Sequence, residues 1–225
     1  WGDGLRTLHC YENEAFAAFV SKVESIKKDT GLTDVVVTIS SPRNFRKEIN
    51  PLYKANRKST RKPICFGPLL EFIKEEFNHV ILDRLEADDT MGILATQEPD
   101  RYLIVSDDKD MLTIRDARIW IKGAVVHITE QEAYENFITQ ALKGDPTDGY
   151  YGCKGIGEVT ARKIIDKHRG TPESLWEGVL KTYKGDAEDA LLNARMARIL
   201  TAELWDGEAP ILWNPPITLK EVANA

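Results

Sequence analysis

Cysteine is scarce in this 225-residue chain, and Cys10, Cys65 and Cys153 form no CxxC pair. Three scattered thiols predict a reduced, cytoplasmic protein without a structural zinc site. Histidine is equally thin: His9, His79, His127 and His168 stand far apart, which argues against a zinc enzyme. No apolar run approaches the ~18 residues of a membrane span, and no basic-then-apolar leader opens the chain. Internal repeats and low-complexity tracts are absent too. What remains is a globular composition, 42% hydrophobic and 29% charged, long enough for one large domain or two small ones. The chain starts at Trp1 and not at methionine, which leads us to expect sequence upstream.

The net charge of −6 conceals a segregation. Between Arg43 and Pro63 stand Arg43, Arg46, Lys47, Lys54, Arg57, Lys58, Arg61 and Lys62 against one acid, Glu48. From Asp83 to Asp148 acids cluster instead. A basic segment beside an acidic one suits a polyanionic substrate and a cationic cofactor, whereas a merely solvated surface mixes its signs.

Apolar spacing from Phe16 to Ile26 predicts a helix stopped by Gly31, and "DVVVTIS" (34–40) predicts a strand. Gly67-Pro68 opens a helix to about Phe77. "HVIL" reads as a strand, Ala87 to Thr96 as a helix, "RYLIVS" (101–106) as a strand, and "ARIWI" and "VVHI" as two more. Thr129 and Glu132 form a capping box for a helix to Lys143. Strands alternating with helices predict an α/β fold with a mostly parallel sheet and ligands at the strands' carboxyl ends. After Gly144 only helices are expected: one carrying Ala161, Ile164, Ile165 and His168, one capped by Thr171-Pro172, and one from about Asp186 to Glu203. The domains are accordingly set at 1–143 and 144–225.

"LEADDTMGIL" (85–94) crowds Glu86, Asp88 and Asp89 where a strand gives way to a helix. Acids at a helix start can be no more than partners of the helix dipole. "IVSDDKDML" (104–112), however, repeats the arrangement with Asp108 and Asp110, and "GDPTDGYYG" (144–152) supplies Asp145 and Asp148. Each has a bland explanation as turn or cap residues. All three together are better explained by convergence on metal. Carboxylates without nearby Cys or His select a hard cation such as Mg²⁺ or Mn²⁺. Seven carboxylates exceed the needs of one ion, so two ions are expected, the arrangement of nucleases and phosphatases.

"GCKGIGEVTARKII" (152–165) places Gly155 and Gly157 immediately before a helix, where a backbone can approach a phosphate closely. Lys154, Arg162 and Lys163 add positive charge, and Arg46 and Lys58 are further candidate phosphate contacts from the basic segment. Contacts of this kind read the phosphate backbone and not the base sequence.

"FRKEINPLYKANR", "EADD", "SDDKD" and "GDPTDGYYGCKGIGEVTA" together resemble the motifs of the 5′-nuclease, or flap endonuclease, family, in the family's order and over roughly Asp34 to Arg169. The resemblance implies a PIN-like α/β domain, a basic arch at about 43–66 and a helix–three-turn–helix DNA clamp. It implies two Mg²⁺-type ions, the first group of ligands being Glu86, Asp88, Asp89 and Asp108, the second Asp110, Asp145 and Asp148. Lys54 and Arg57 match basic residues at the foot of the arch that contact the scissile phosphate. Gly155 and Gly157 match a hairpin that holds the duplex, often around K⁺. The implied partners are flapped, branched or nicked DNA, with an RNA/DNA hybrid as a further possibility, and a DNA polymerase. No membrane is implied. Tyr53 and Phe45 read equally well as base-stacking or as packing residues, and Asp107 as a solvated bystander.

Three departures are visible. The family carries an aspartate on a first strand, and this chain is expected to begin after it. An acid that usually precedes "FR" is replaced in the neighbourhood by Ser40 or Ser41. Only 31 residues lie between Lys54 and Glu86, so the arch is expected to be short. The rival reading is a DNA-binding protein of the same fold with weakened catalysis. A toxin-like PIN ribonuclease would leave the helical part after residue 144 unexplained.

Overall fold

The computed structural model describes residues 9–217; the side chains of Lys58 and Ser59 lie outside the described set. Contacts divide the chain into two compact units, one of residues 1–39 and 59–81, the other of residues 40–58 and 82–225.

The first unit is built on α1 (Glu12–Thr30) and α3 (Phe66–Glu76). Phe16 stacks on Phe72 at 4.4 Å between ring centroids, and Phe19 meets Phe77 edge-on at 5.2 Å. α1 stops at Gly31, whose N–H bonds the Lys27 carbonyl. β1 (Val37–Thr38) and β2 (His79–Val80) pair in parallel. Contrary to the expectation of unpaired thiols, Cys10 and Cys65 form a disulfide that joins the chain just ahead of α1 to the start of α3. Their separation of 55 residues concealed that proximity.

The second unit contains α2 (Phe45–Ile49), a 3-10 helix (Ala55–Ser59), α4 (Ala87–Gln97), β3 (Ile104–Val105), a 3-10 turn (Lys109–Thr113), β4 (Arg118–Ile121), β5 (Ala124–His127) and the helices α5 to α8. The helices are α5 (Glu130–Lys143), α6 (Glu158–His168), α7 (Pro172–Thr182) and α8 (Ala187–Ala197). β3 and β4 are parallel, and β5 returns antiparallel. Two of the three strand pairings are therefore parallel, distributed over two small sheets. Four of the five expected strands shorten, to between two and four residues, because a strand persists only where a neighbour satisfies its backbone groups, while the fifth keeps four residues, one position earlier.

α5 follows the capping box foreseen at its start, with the Thr129 hydroxyl accepting from Glu132 N–H and the Glu132 carboxylate accepting from Thr129 N–H. Its buried face carries Phe137, Ile138, Ala141 and Leu142 and packs against α6, α7 and α8. Trp176 and Trp213 close that core edge-on, 5.2 Å apart. A second cluster, around Met111, Ile114 and Ile119, lies under the three-stranded sheet.

α8 ends at Ala197, six residues before the expected stop at Glu203. The chain leaves the helix because two of its carbonyls, at Met196 and Arg198, accept hydrogen bonds from the Arg46 guanidinium at 3.1 and 2.6 Å. Leu200 N–H then donates to Asp89 at 3.1 Å. A cation on the last carbonyls of a helix satisfies groups that have no partner within it. Backbone approach is close enough that a Cβ on Gly92, in α4, would stand 2.3 Å from the Leu200 carbonyl oxygen.

Candidate active site

α4 begins at Ala87, and its amide is held by the Ser40 hydroxyl at 3.0 Å. Ser41 accepts from Arg84 and Arg43 amides, so both serines brace the turn that delivers Glu86 and Asp88. After β3, Asp108 caps the 3-10 turn by accepting from Asp110 N–H at 2.9 Å. Asp110 is in turn oriented by Gln140 of α5, whose amide donates to it at 2.7 Å. The loop after α5 folds back on itself: Asp145 N–H bonds the Tyr150 carbonyl, and Asp148 N–H bonds the Asp145 carbonyl. That turn presents the Asp145 and Asp148 carboxylates.

The turn before the Ala55–Ser59 helix lies directly on this loop. Lys54 N–H donates to the Asp148 carbonyl at 2.7 Å, and Asn56 donates to the Thr147 carbonyl at 3.2 Å. Gly149 permits the approach: at φ +81°, a Cβ would be 2.5 Å from the Leu52 carbonyl oxygen. Gly149→Ala is therefore expected to cost more than ~1 kcal/mol of stability and to loosen the seating of Lys54. A chemical denaturation curve indistinguishable from wild type would contradict that packing.

Side chains complete the junction. Lys54 Nζ is 2.5 Å from Glu86 Oε1 and 3.4 Å from Asp148 Oδ2. Tyr53 OH donates to Glu86 Oε2 at 2.8 Å, and Arg57 pairs with Asp148. Burial works to raise the Glu86 carboxyl, but Arg46, Lys54 and the Tyr53 hydroxyl together hold it below its ordinary range. Asp88 is pushed up to about 6, by burial first and then by Glu86, Asp108 and Asp89. Asp110 is also raised, by burial and by Asp108, with smaller contributions from Asp145 and Asp148. Lys54 and Tyr53 bridge Glu86 to Asp148, Asp108 acts on both Asp88 and Asp110, and Asp145 and Asp148 act on Asp110, so these six carboxylates lie within electrostatic reach of one another in a chain of pairs. Three separate chain segments bring them there.

Two expected site residues have other roles. Arg46 and Asp89, expected at DNA and at metal, are 2% and 0% exposed and form a two-pronged ion pair with both contacts at 2.7 Å. Asp89 also accepts from Glu86 and Leu200 amides, so both oxygens are occupied. Neither side chain reaches solvent, where DNA or a loosely held ion would meet it. Phe45 and Tyr53 are likewise buried, at 2% and 3%, and serve as packing residues. Asp107 accepts from Lys122 N–H at 3.2 Å and so braces the β4–β5 turn.

Around the hairpin before α6, Lys154, Gly155, Gly157, Arg162 and Lys163 are all exposed. Gly157 caps α6 without a side chain, and Ile156 N–H closes the hairpin on the Cys153 carbonyl at 3.0 Å. Arg162 is tethered by Glu158 and by Asn136 Oδ1 at 2.9 Å. Lys58 lies outside the described side chains.

Gln140 and Tyr53 hold site carboxylates and were not singled out as such from the sequence. One signal was present for Gln140. With Asn136, whose amide bonds the Leu112 carbonyl, it forms a polar i, i+4 pair beside the apolar core face of α5, and both side chains grip the Lys109–Thr113 turn.

The donor set suits a divalent cation. Every candidate ligand is a carboxylate, and Asp88 and Asp110 are held above their ordinary range by burial first and then by neighbouring negative charge, the second of which a hard cation relieves. Among the described residues no three such side chains stand close enough together to hold one ion. Because folded Asp88 holds its proton more firmly than the unfolded chain does, metal-free stability should fall as pH rises from about 4 to about 6. Asp88→Asn should remove that slope and stabilise the metal-free protein at pH 7 by on the order of 2 kcal/mol. A pH–stability profile unchanged by the substitution would contradict this.

Comparison with known proteins gives a family. Residues 4–139 match the model of the 5′–3′ exonuclease N-terminal resolvase-like domain. The exodeoxyribonuclease of Enterobacteria phage T3 is 32% identical over 208 residues, covering 88% of this chain and 68% of that protein. DNA polymerase I of Mycobacterium tuberculosis is 30% identical over 238 residues, covering 95% of this chain and 26% of the polymerase. Among solved structures, the phage T5 D15 protein crystallised with metal ions has a TM-score of 0.66 at 18% identity, with 80% of each chain covered. The T5 D15 flap endonuclease in a pseudo-enzyme–product complex with DNA and metal ions has a TM-score of 0.56 over 80% of this chain and 84% of that one. The chain belongs to the 5′–3′ exonuclease (flap endonuclease) family of phosphodiester-cleaving hydrolases.

Proposed function

We propose that this chain is a divalent-metal-dependent 5′-nuclease that cuts DNA near junctions of single and double strand. One observation carries the reading: six carboxylates from three segments share a neighbourhood beside Lys54 and Arg57, two cations held at its rim. Glu86, Asp88 and Asp108 would hold one Mg²⁺ or Mn²⁺, and Asp110, Asp145 and Asp148 a second. Bound there, such ions supply an activated water and charge stabilisation for the departing oxygen.

The chain's own residues do the rest. Tyr53 fixes Glu86 through its hydroxyl, and Gln140 fixes Asp110. Lys54 and Arg57, now paired with carboxylates, stand within side-chain reach of a phosphate entering the cluster and can neutralise the charge that develops on it. The hairpin 152–157, exposed at Lys154, Gly155 and Gly157, holds the duplex with Lys163 through its phosphates, with K⁺ on the hairpin backbone as part of the same reading. Residues up to 143, joined by Asp145 and Asp148, then cut, and the rest of the part from 144 holds. The division is one of role, since α5 packs on α6, α7 and α8. The likeness to a polymerase I supports a polymerase as working partner, in the bacterial or phage-infected cytoplasm. No described helix is long and apolar enough to cross a membrane.

The test is a flap duplex labelled at its 5′ or its 3′ end, with Mg²⁺, Mn²⁺ or Ca²⁺. A short product from the 5′ label with the first two ions is expected. The rival reading, a binder with weakened catalysis, is favoured by the Ser40 hydroxyl, which is spent on the Ala87 amide where relatives are expected to carry an acid. Retarded but uncut duplex with every ion would establish that rival.

A further inference from the structure

Beside Asp108 the second unit has a cavity of about 690 Å³ that no step above uses. Its floor is aliphatic: Leu112 from the 3-10 turn, Ile121 and Val126 from the β4–β5 hairpin, and Ile128. Lys109 and Lys122 stand at the rim, and neither forms an ion pair with a carboxylate among the described residues. Asp107 also lines it as an exposed carboxylate, and one of its oxygens accepts from the Lys122 amide at 3.2 Å, which holds the β4–β5 turn in place with Lys122 at φ +51°. Asp108, the remaining acid, is where the cavity meets the carboxylate cluster.

We propose that this cavity is a nucleotide subsite, taking the base of a nucleoside monophosphate unit against the aliphatic floor and its phosphate between Lys109 and Lys122. The proposal rests on the nuclease reading and names where a nucleotide next to the cut is lodged. Volume agrees, since pockets for ligands of this size run from about 300 to 1,000 Å³. Chemistry agrees as well. An aliphatic floor covers the flat face of a base, while the rim cations meet an anion. The floor offers no hydrogen-bonding group to read a base edge, so purines and pyrimidines should be accepted alike. The nucleotide has two sources, the strand being cut or the mononucleotide released from it.

Methyl NMR of the whole chain, labelled at Ile, Leu and Val and kept in Ca²⁺, tests the site directly. Titration with dAMP should shift the Ile121, Val126 and Leu112 methyls saturably. Deoxyadenosine should do so at least fivefold more weakly, and inorganic phosphate should leave the floor methyls unmoved. Lys122→Ala, at an exposed turn, should weaken dAMP about fivefold or more and leave deoxyadenosine unchanged. Floor methyls that ignore dAMP, or that follow it equally well in Lys122→Ala, overturn the proposal. A second arm compares cleavage of flaps with a normal or an abasic nucleotide next to the cut. Slower cutting of the abasic flap assigns the site to the strand, and equal cutting with dAMP inhibition assigns it to released product. Failure to cut any flap counts against the nuclease reading alone, because the methyl shifts decide the subsite without cleavage.

Discussion

Lys54→Ala should slow single-turnover cleavage of a flap duplex by about 10²–10³-fold while weakening duplex binding far less. The expectation comes from how firmly Lys54 is placed. Its backbone takes φ +51°, its amide is bonded to the Asp148 carbonyl, and its ammonium lies between Glu86 and Asp148. A cation held so closely is useful where negative charge develops and adds little to an affinity spread over many phosphates. Arg57, whose side chain is 48% exposed, should show a smaller effect. Equal losses in rate and binding for Lys54→Ala would reduce it to an ordinary phosphate contact.

The second large effect concerns stability. Arg46→Met or Asp89→Asn should cost about 3–5 kcal/mol, because each leaves a buried charged partner without its counterpart. For a chain of this size that corresponds to a fall in Tm of roughly 6–20 °C. The cost is distributed over three elements: Arg46 in α2, Asp89 in α4, and the segment after α8 that both of them bond. Arg46→Met combined with Asp89→Leu should recover much of the loss, since no charge is then left buried. A single substitution costing less than ~1 kcal/mol by denaturant titration would contradict the assignment of this pair as the fastening between α4 and α8.

That pair also marks where the sequence stops being informative. Features written within one turn were legible: the Thr129–Glu132 box at the start of α5, the Gly31 stop of α1, and the acid-bearing turns at 86–88, 108–110 and 145–148. Features made by distant partners were not. Arg46 and Asp89 sit among residues of the expected chemistry, and only their meeting across 43 positions withdraws them from DNA and metal. The same pair ends α8 at Ala197, although the local pattern continues. Cys10 and Cys65, 55 residues apart, are joined for reasons no spacing records. The Tyr53 hydroxyl on Glu86 was invisible for the same reason, since an aromatic residue at the edge of a basic segment suits a base as well as a carboxylate.

The carboxylate cluster as a metal centre is tested most directly by thermal melts at pH 7 with increasing Mg²⁺ or Mn²⁺, for wild type and Asp88→Asn. Saturation at a hundred times Kd contributes ~2.7 kcal/mol for one site, or roughly 5–10 °C in Tm for a chain of this length. We expect wild type to gain that much, and Asp88→Asn to start higher and gain little. A wild-type Tm that stays flat with both ions would contradict a metal centre at Glu86, Asp88, Asp108, Asp110, Asp145 and Asp148.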